Sequence, residues 1–170
     1  AVWGRAGNHA DLPLLLMMFY GEAQHSIFNG NVPIQNMLDS FYLAMVPWFR
    51  LHLLNIEGFE RAQDQTTIIL EGSGNRVVID WEKKSYSVML DGAEVARDSS
   101  TSCPLGKDRI AMYSVVDGPL AATLPSDWEA GSVTAKALFV DRTEPVKFHL
   151  DGRRVTVQMQ SRRPVMLHRS

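Results

Sequence analysis

Residues 12–25 read Leu-Pro-Leu-Leu-Leu-Met-Met-Phe-Tyr-Gly-Glu-Ala-Gln-His, an apolar run that stops at a glycine and gives way to polar residues. From Leu12 to Tyr20 there is no charge and no alternation. A continuous apolar run is the pattern of a strand buried on both faces, as in a parallel sheet. A buried helix is the rival reading. The short length and the Tyr20-Gly21 stop favour the strand. An acid, Glu22, and a histidine, His25, follow directly.

Downstream, the loop SIFNGN is punctuated by Asn29-Gly30. The segment VPIQNMLDSFYLAMVPWFRLHLLNI then reads as a helix, with Pro33 suited to its first turn. Ile34, Leu38, Phe41, Met45 and Phe49 recur every three or four residues along one side. Pro47 should kink or divide the helix, because it removes a backbone donor and crowds the preceding turn. The other faces carry Met37, Tyr42, Leu43 and Val46. Between Leu12 and Ile56 the only full charges are Glu22, Asp39 and Arg50. An element apolar on every side must be covered by other protein, and one strand and one kinked helix cannot cover each other. The segment therefore reads as the last strand and helix of a larger α/β unit. The alternative is that it packs wholly on the β-rich part that follows.

After Glu57 the texture changes. TTIILEG, RVVIDW, SYSVMLDG, EVARD, RIAMYSVV, LAATLP, SVTAKALFV, VKFHL, RRVTVQMQ and PVMLH are strand-like runs bounded by turn residues. Val155, Val157 and Met159 alternate with Thr156, Gln158 and Gln160. Asp91-Gly92 and Asp151-Gly152 are hairpin signals. About ten short strands with one polar face each predict an antiparallel sandwich. The expected class is α+β. Residues 1–60 would form the end of an α/β domain, and residues 61–170 a C-terminal antiparallel β-sandwich.

Charge and composition narrow the function. The net charge is −2 and no basic block occurs, so neither nucleic acid nor an anionic membrane is an expected partner. The run 12–20 is shorter than the roughly 20 residues of a spanning helix. The single cysteine, Cys103, excludes an internal disulfide framework. The first residues lack the charged-then-apolar order of a signal peptide. The compartment stays open, export to a secreted or periplasmic space included.

The β part resembles the C-terminal sandwich of large bacterial glycoside hydrolases. The residues that carry the resemblance are Arg109 to Ser114, the Leu124-Pro125-x-x-Trp128 element, SVTAKALF, the VKFHLDGRRVTVQM hairpin and Arg163-Pro164-Val165. The apolar strand ending in Tyr-Gly, followed by a Pro-interrupted helix, resembles the last βα unit of a (β/α)8 barrel. The family it is most similar to is the endo-α-N-acetylgalactosaminidase-like hydrolases. The resemblance implies a carbohydrate substrate and a larger polypeptide carrying the rest of the barrel. Such hydrolases need two carboxylates across the scissile bond. The strands that would carry that pair are not in this sequence, so no catalytic residue is assigned. The alternative function is a non-catalytic module that binds carbohydrate or protein.

At the mouth of a barrel, strand ends carry chemistry. On the barrel reading, Tyr20, Glu22 and His25 are substrate-binding candidates. Tyr20 would stack on a sugar or donate to it, Glu22 would accept from hydroxyls, and His25 would do either. Their ordinary roles would be a core cap, a loop anchor and an exposed side chain. Asn29 is a weaker candidate, since Asn-Gly is first a turn. His9 and Asp11 match no strong ligand spacing, so neither a metal nor a cofactor is expected. No G-x-S-x-G elbow occurs. Trp81, Tyr86, Tyr113 and Trp128 would make a sugar-stacking platform if exposed, but such residues more often pack inside a sandwich.

Overall fold

Pro47 sets the local structure where the description of the chain begins. In a computed structural model the chain is described at residues 38, 39 and 41–169. Having no N–H, Pro47 cannot return a hydrogen bond to the carbonyl of Leu43, four residues back. A π-helical turn occupies Phe41–Met45, and a short α-helix, α1 (Val46–Leu51), restarts with the proline in its first turn. The hydroxyl of Tyr86 donates to the Leu43 carbonyl.

This turn also explains why the expected stripe fails. A π turn bonds i to i+5 and so holds more residues per turn than an α-helix, which rotates the side chains around it. Phe41 and Phe49 are exposed, whereas Tyr42, Leu43, Ala44, Val46 and Leu51 are buried. Ile34 lies outside the described residues.

The chain divides into two compact units, Ala1–Asp98 and Ser99–Ser170. In the first, β1 (Ile56–Arg61), β2 (Gln65–Leu70), β3 (Arg76–Asp80), β4 (Ser85–Leu90) and β5 (Ala93–Arg97) follow one another as an antiparallel meander. Strand alternation sorts the faces. Ile68, Leu70, Val77, Ile79, Tyr86, Val88 and Leu90 are buried, each contributing about 1.5–3 kcal/mol of transfer free energy. Between them Val78, Ser85 and Ser87 are only half-buried.

The turns of this unit are tied together. Asp91 (φ 51°) and Gly92 (φ 77°) both take positive φ, as a two-residue type I′ hairpin demands. Asn75, buried, donates through Nδ2 to the Glu71 carbonyl at 2.7 Å, and its Oδ1 accepts from the Asp91 amide at 2.7 Å. One side chain thus joins the β2–β3 turn to the β4–β5 turn.

The second unit contains β6 (Ser100–Pro104), β7 (Arg109–Ser114), β8 (Gly118–Thr123), a 3-10 turn (Ala130–Ser132), β9 (Val133–Leu138), β10 (Thr143–Pro145), β11 (Phe148–Asp151), β12 (Arg154–Met159) and β13 (Val165–Arg169). One sheet runs β6-β7-β13-β9-β10 and the other β11-β12-β8. Ile110 and Met112 (β7), Ala135 and Ala137 (β9) and Leu167 (β13) share one core with Ala122 (β8) and with Val155, Val157 and Met159 (β12). The unit is therefore a two-sheet sandwich. Trp128 is part of that core, and its Nε1–H reaches the Lys107 carbonyl at 2.9 Å.

The expected α+β class is overturned by these pairings. Every strand pairing described within the two units is antiparallel. Helix among the described residues is confined to residues 38 and 39, the π turn, α1 and the 3-10 turn. No strand-helix unit of a (β/α)8 barrel is formed there. The helical segment was expected to need missing barrel units for its cover. Instead Leu43 is tied to β4 through Tyr86, inside the first unit. The run Leu12 to Tyr20, read as a barrel strand, lies outside the described residues.

Candidate functional site

The substrate-binding candidates Tyr20, Glu22 and His25 lie outside the described residues, as do Asn29, His9 and Asp11. What the described residues do form is a groove on the half-exposed face of the first unit's sheet.

The register of the sheet builds it. Pairing places Gln65 opposite Asp80 and Asp80 opposite Ser85, one row across β2, β3 and β4. A second row sets Val78 opposite Ser87 and Ser87 opposite Arg97, across β3, β4 and β5. The serines are short and sit mid-sheet, while longer side chains stand around them. The result is a depression of about 260 Å³ lined by Gln65, Val78, Asp80, Ser85, Ser87 and Arg97, with Tyr86, Glu94 and Asp98.

The rim is held by ion pairs. Asp80 accepts from the Lys83 amide at 2.8 Å and from Lys83 Nζ at 2.9 Å. The Lys83 backbone N–H, and then the Lys83 ammonium, hold the Asp80 carboxyl below its ordinary range. Arg97 donates through Nε to Glu94 Oε1 at 2.8 Å. The side chains of Gln65, Ser85, Ser87 and Asp98 have no hydrogen-bond partner among the described residues. The groove therefore offers hydroxyl, amide and carboxylate groups to whatever occupies it. No histidine or cysteine lines it.

The aromatic platform does not form. Tyr86, Tyr113 and Trp128 are core residues, and only Trp81 of the four is exposed, at 43%. Trp81 Nε1 donates to Thr66 Oγ1 at 2.9 Å. Cys103 is buried. Among the described residues no group of three or more His, Cys, Asp or Glu side chains could hold a metal ion. No helix there is long and apolar enough to cross a membrane. The groove was missed in the sequence. Its one local signal is Ser85-x-Ser87, two small polar residues on one face of a strand.

No family model matches the chain, and no curated protein matches it. Among solved structures it is similar to the catalytic domain of GH30 xylanase C from Talaromyces cellulolyticus, with 16% identity and a TM-score of 0.29. The match covers 63% of this chain and 21% of that one. A likeness of this quality carries no argument about activity.

Proposed function

We propose that this chain is a β-rich, non-catalytic portion of a glycoside hydrolase, contributing scaffold to a protein that acts on carbohydrate. One observation supports the reading. The segments that resemble the C-terminal sandwich of such hydrolases are the core strands of the sandwich at residues 99–170. Arg109–Ser114 is β7, Ser132 to Phe139 contains β9, and Val146 to Met159 contains the β11–β12 hairpin. Leu124 and Trp128 are buried beside them.

The electrostatics of the groove agree with a non-catalytic role. Glycoside hydrolysis needs one carboxyl that is protonated at working pH, and such a group has a raised pKa. Asp80 is shifted the other way, and Glu94 is paired with Arg97. Asp80 is therefore not poised to protonate a leaving group.

The test is to recover the native polypeptide with an antibody against the recombinant chain. Release of reducing sugar is then assayed on a panel of polysaccharides and aryl glycosides. Glycosidase activity should co-purify with the antigen, while the recombinant chain alone should have none. A homogeneous native polypeptide inactive on every glycoside would overturn the reading. Activity of the recombinant chain would overturn its non-catalytic part.

A further inference from the structure

We propose that the groove on the first unit's sheet is a subsite for a neutral sugar ring, held by hydrogen bonds with Gln65, Ser85 and Ser87 and by sugar hydroxyls donating to Asp98. The inference deepens the carbohydrate reading, although its geometry stands without it.

Three features of the groove point to this ligand class. The first is the supply of uncommitted polar groups. Gln65, Ser85, Ser87 and Asp98 combine an amide, two hydroxyls and a carboxylate, and none is used inside the protein among the described residues. Sugar hydroxyls both donate and accept, so they suit a mixed set of this kind. The second is spacing. Ser85 and Ser87 lie two residues apart on one strand, roughly 6.6 Å along it, and neighbouring strands are about 4.8 Å apart. A pyranose ring with its hydroxyls spans that frame. Val78, half-buried in the second row, gives the ring's C–H face an apolar contact.

The third feature is charge. The lining carries three carboxylates, Asp80, Glu94 and Asp98, against one guanidinium, Arg97. Arg97 is already engaged by Glu94, and Asp80 stays ionised through Lys83. An anionic ligand such as a uronate would meet three carboxylates against two cations, Arg97 and the rim Lys83, each already paired with a carboxylate. A neutral sugar meets only acceptors and donors. Since the ion pairs fix Asp80 and Glu94 before binding, little rim ordering remains to oppose association.

The experiment is a titration of the full, 15N-labelled chain with glucose, galactose, N-acetylgalactosamine and glucuronate, read by amide chemical shifts. At least one neutral sugar should give saturable shifts centred on Gln65, Ser85, Ser87 and Asp98. The expected Kd is on the order of 1–10 mM, as befits an open groove. Glucuronate should bind at least about tenfold more weakly. The double variant Ser85→Ala/Ser87→Ala should weaken binding at least about tenfold with its melting temperature unchanged. No saturable shift up to roughly 100 mM of any neutral sugar, shifts centred elsewhere, equal binding of glucuronate, or full binding by the folded double variant would each overturn the proposal. Sugar binding by a chain whose native polypeptide lacks glycosidase activity supports the groove and removes the hydrolase reading. Glycosidase activity without shifts at the groove does the reverse.

Discussion

The bond from Tyr86 to Leu43 is where one substitution tests the account of the first unit. Pro47 has no N–H for the Leu43 carbonyl, and the Tyr86 hydroxyl donates to it. Both residues are buried, at 1% for Leu43 and 3% for Tyr86. Tyr86→Phe keeps the ring and removes the hydroxyl that donates to Leu43. The loss of a hydrogen bond whose acceptor stays buried costs about 1–3 kcal/mol. For a unit of this size that is a fall of roughly 4–8 °C in melting temperature per kcal/mol. Pro47→Ala supplies the missing N–H, so the carbonyl has a second donor available. In the Pro47→Ala background, Tyr86→Phe should then cost about 1 kcal/mol less than in the parent. The assay is a urea-denaturation cycle of the four proteins, followed by tryptophan fluorescence. Equal costs in the two backgrounds, or a loss below about 0.5 kcal/mol in the parent, would refute the claim that Tyr86 caps the carbonyl left by the proline.

Three further outcomes follow from the same structure. Gly74→Ala should cost about 1–3 kcal/mol, because φ is +80° and a Cβ would lie 2.7 Å from the Gly92 nitrogen. Gly92→Ala, at φ +77° with nothing within 4 Å, should cost less in the same melt, and a reversed order would contradict the close approach. Trp128→Phe removes the donor to the Lys107 carbonyl and part of a buried ring, for about 1.5–3 kcal/mol by calorimetry. Asp80 has its folded-state pKa lowered by Lys83, so its contribution to stability is present above the unfolded carboxylate range near pH 4 and is lost as pH falls through the folded value. The urea midpoints of the parent and Asp80→Asn should therefore differ at pH 7 and converge in acid, and a gap that widened in acid would reverse the sign.

The strands that alternate were legible in the sequence, because alternation is the physical signature of a sheet with one covered face. Val155, Val157 and Met159 are buried on β12 as their spacing requires, and the Asp91-Gly92 turn takes the φ angles its residues favour. Three strands broke the pattern, the three-residue β10 (Thr-Glu-Pro) among them. β1 carries Glu57, Glu60 and Arg61, and its register shifts between Ile56 and Gly58. A bulge interrupts the two-residue period, and an edge strand with charges reads as loop. β6 is Ser-Thr-Ser-Cys-Pro, yet Thr101, Ser102 and Cys103 are buried. Nothing in Thr101 and Ser102 announces burial, which comes from their place beside β7.

The misreading of the helical segment has a different origin. A 3.6-residue period does not describe Phe41–Met45, where the chain takes a π turn, so the side expected inside carries exposed Phe41 and Phe49. The all-round apolar character that suggested missing barrel units was real as composition, but composition does not say which partner supplies the cover. The groove was hidden for a related reason. Gln65, Asp80 and Ser85 are unrelated in sequence and become one row only when the β2–β3 and β3–β4 turns fix the register. A one-residue slip of β4 would move Ser85 and Ser87 to the buried face and bring Tyr86 out. The Tyr86 bond to Leu43 opposes that slip, since it holds the ring on the inner face. The contact that answers the proline thus also keeps the two serines in the groove. Tyr86→Phe should therefore loosen the groove as well as the helix, with faster amide exchange at Ser85 and Ser87 as the sign.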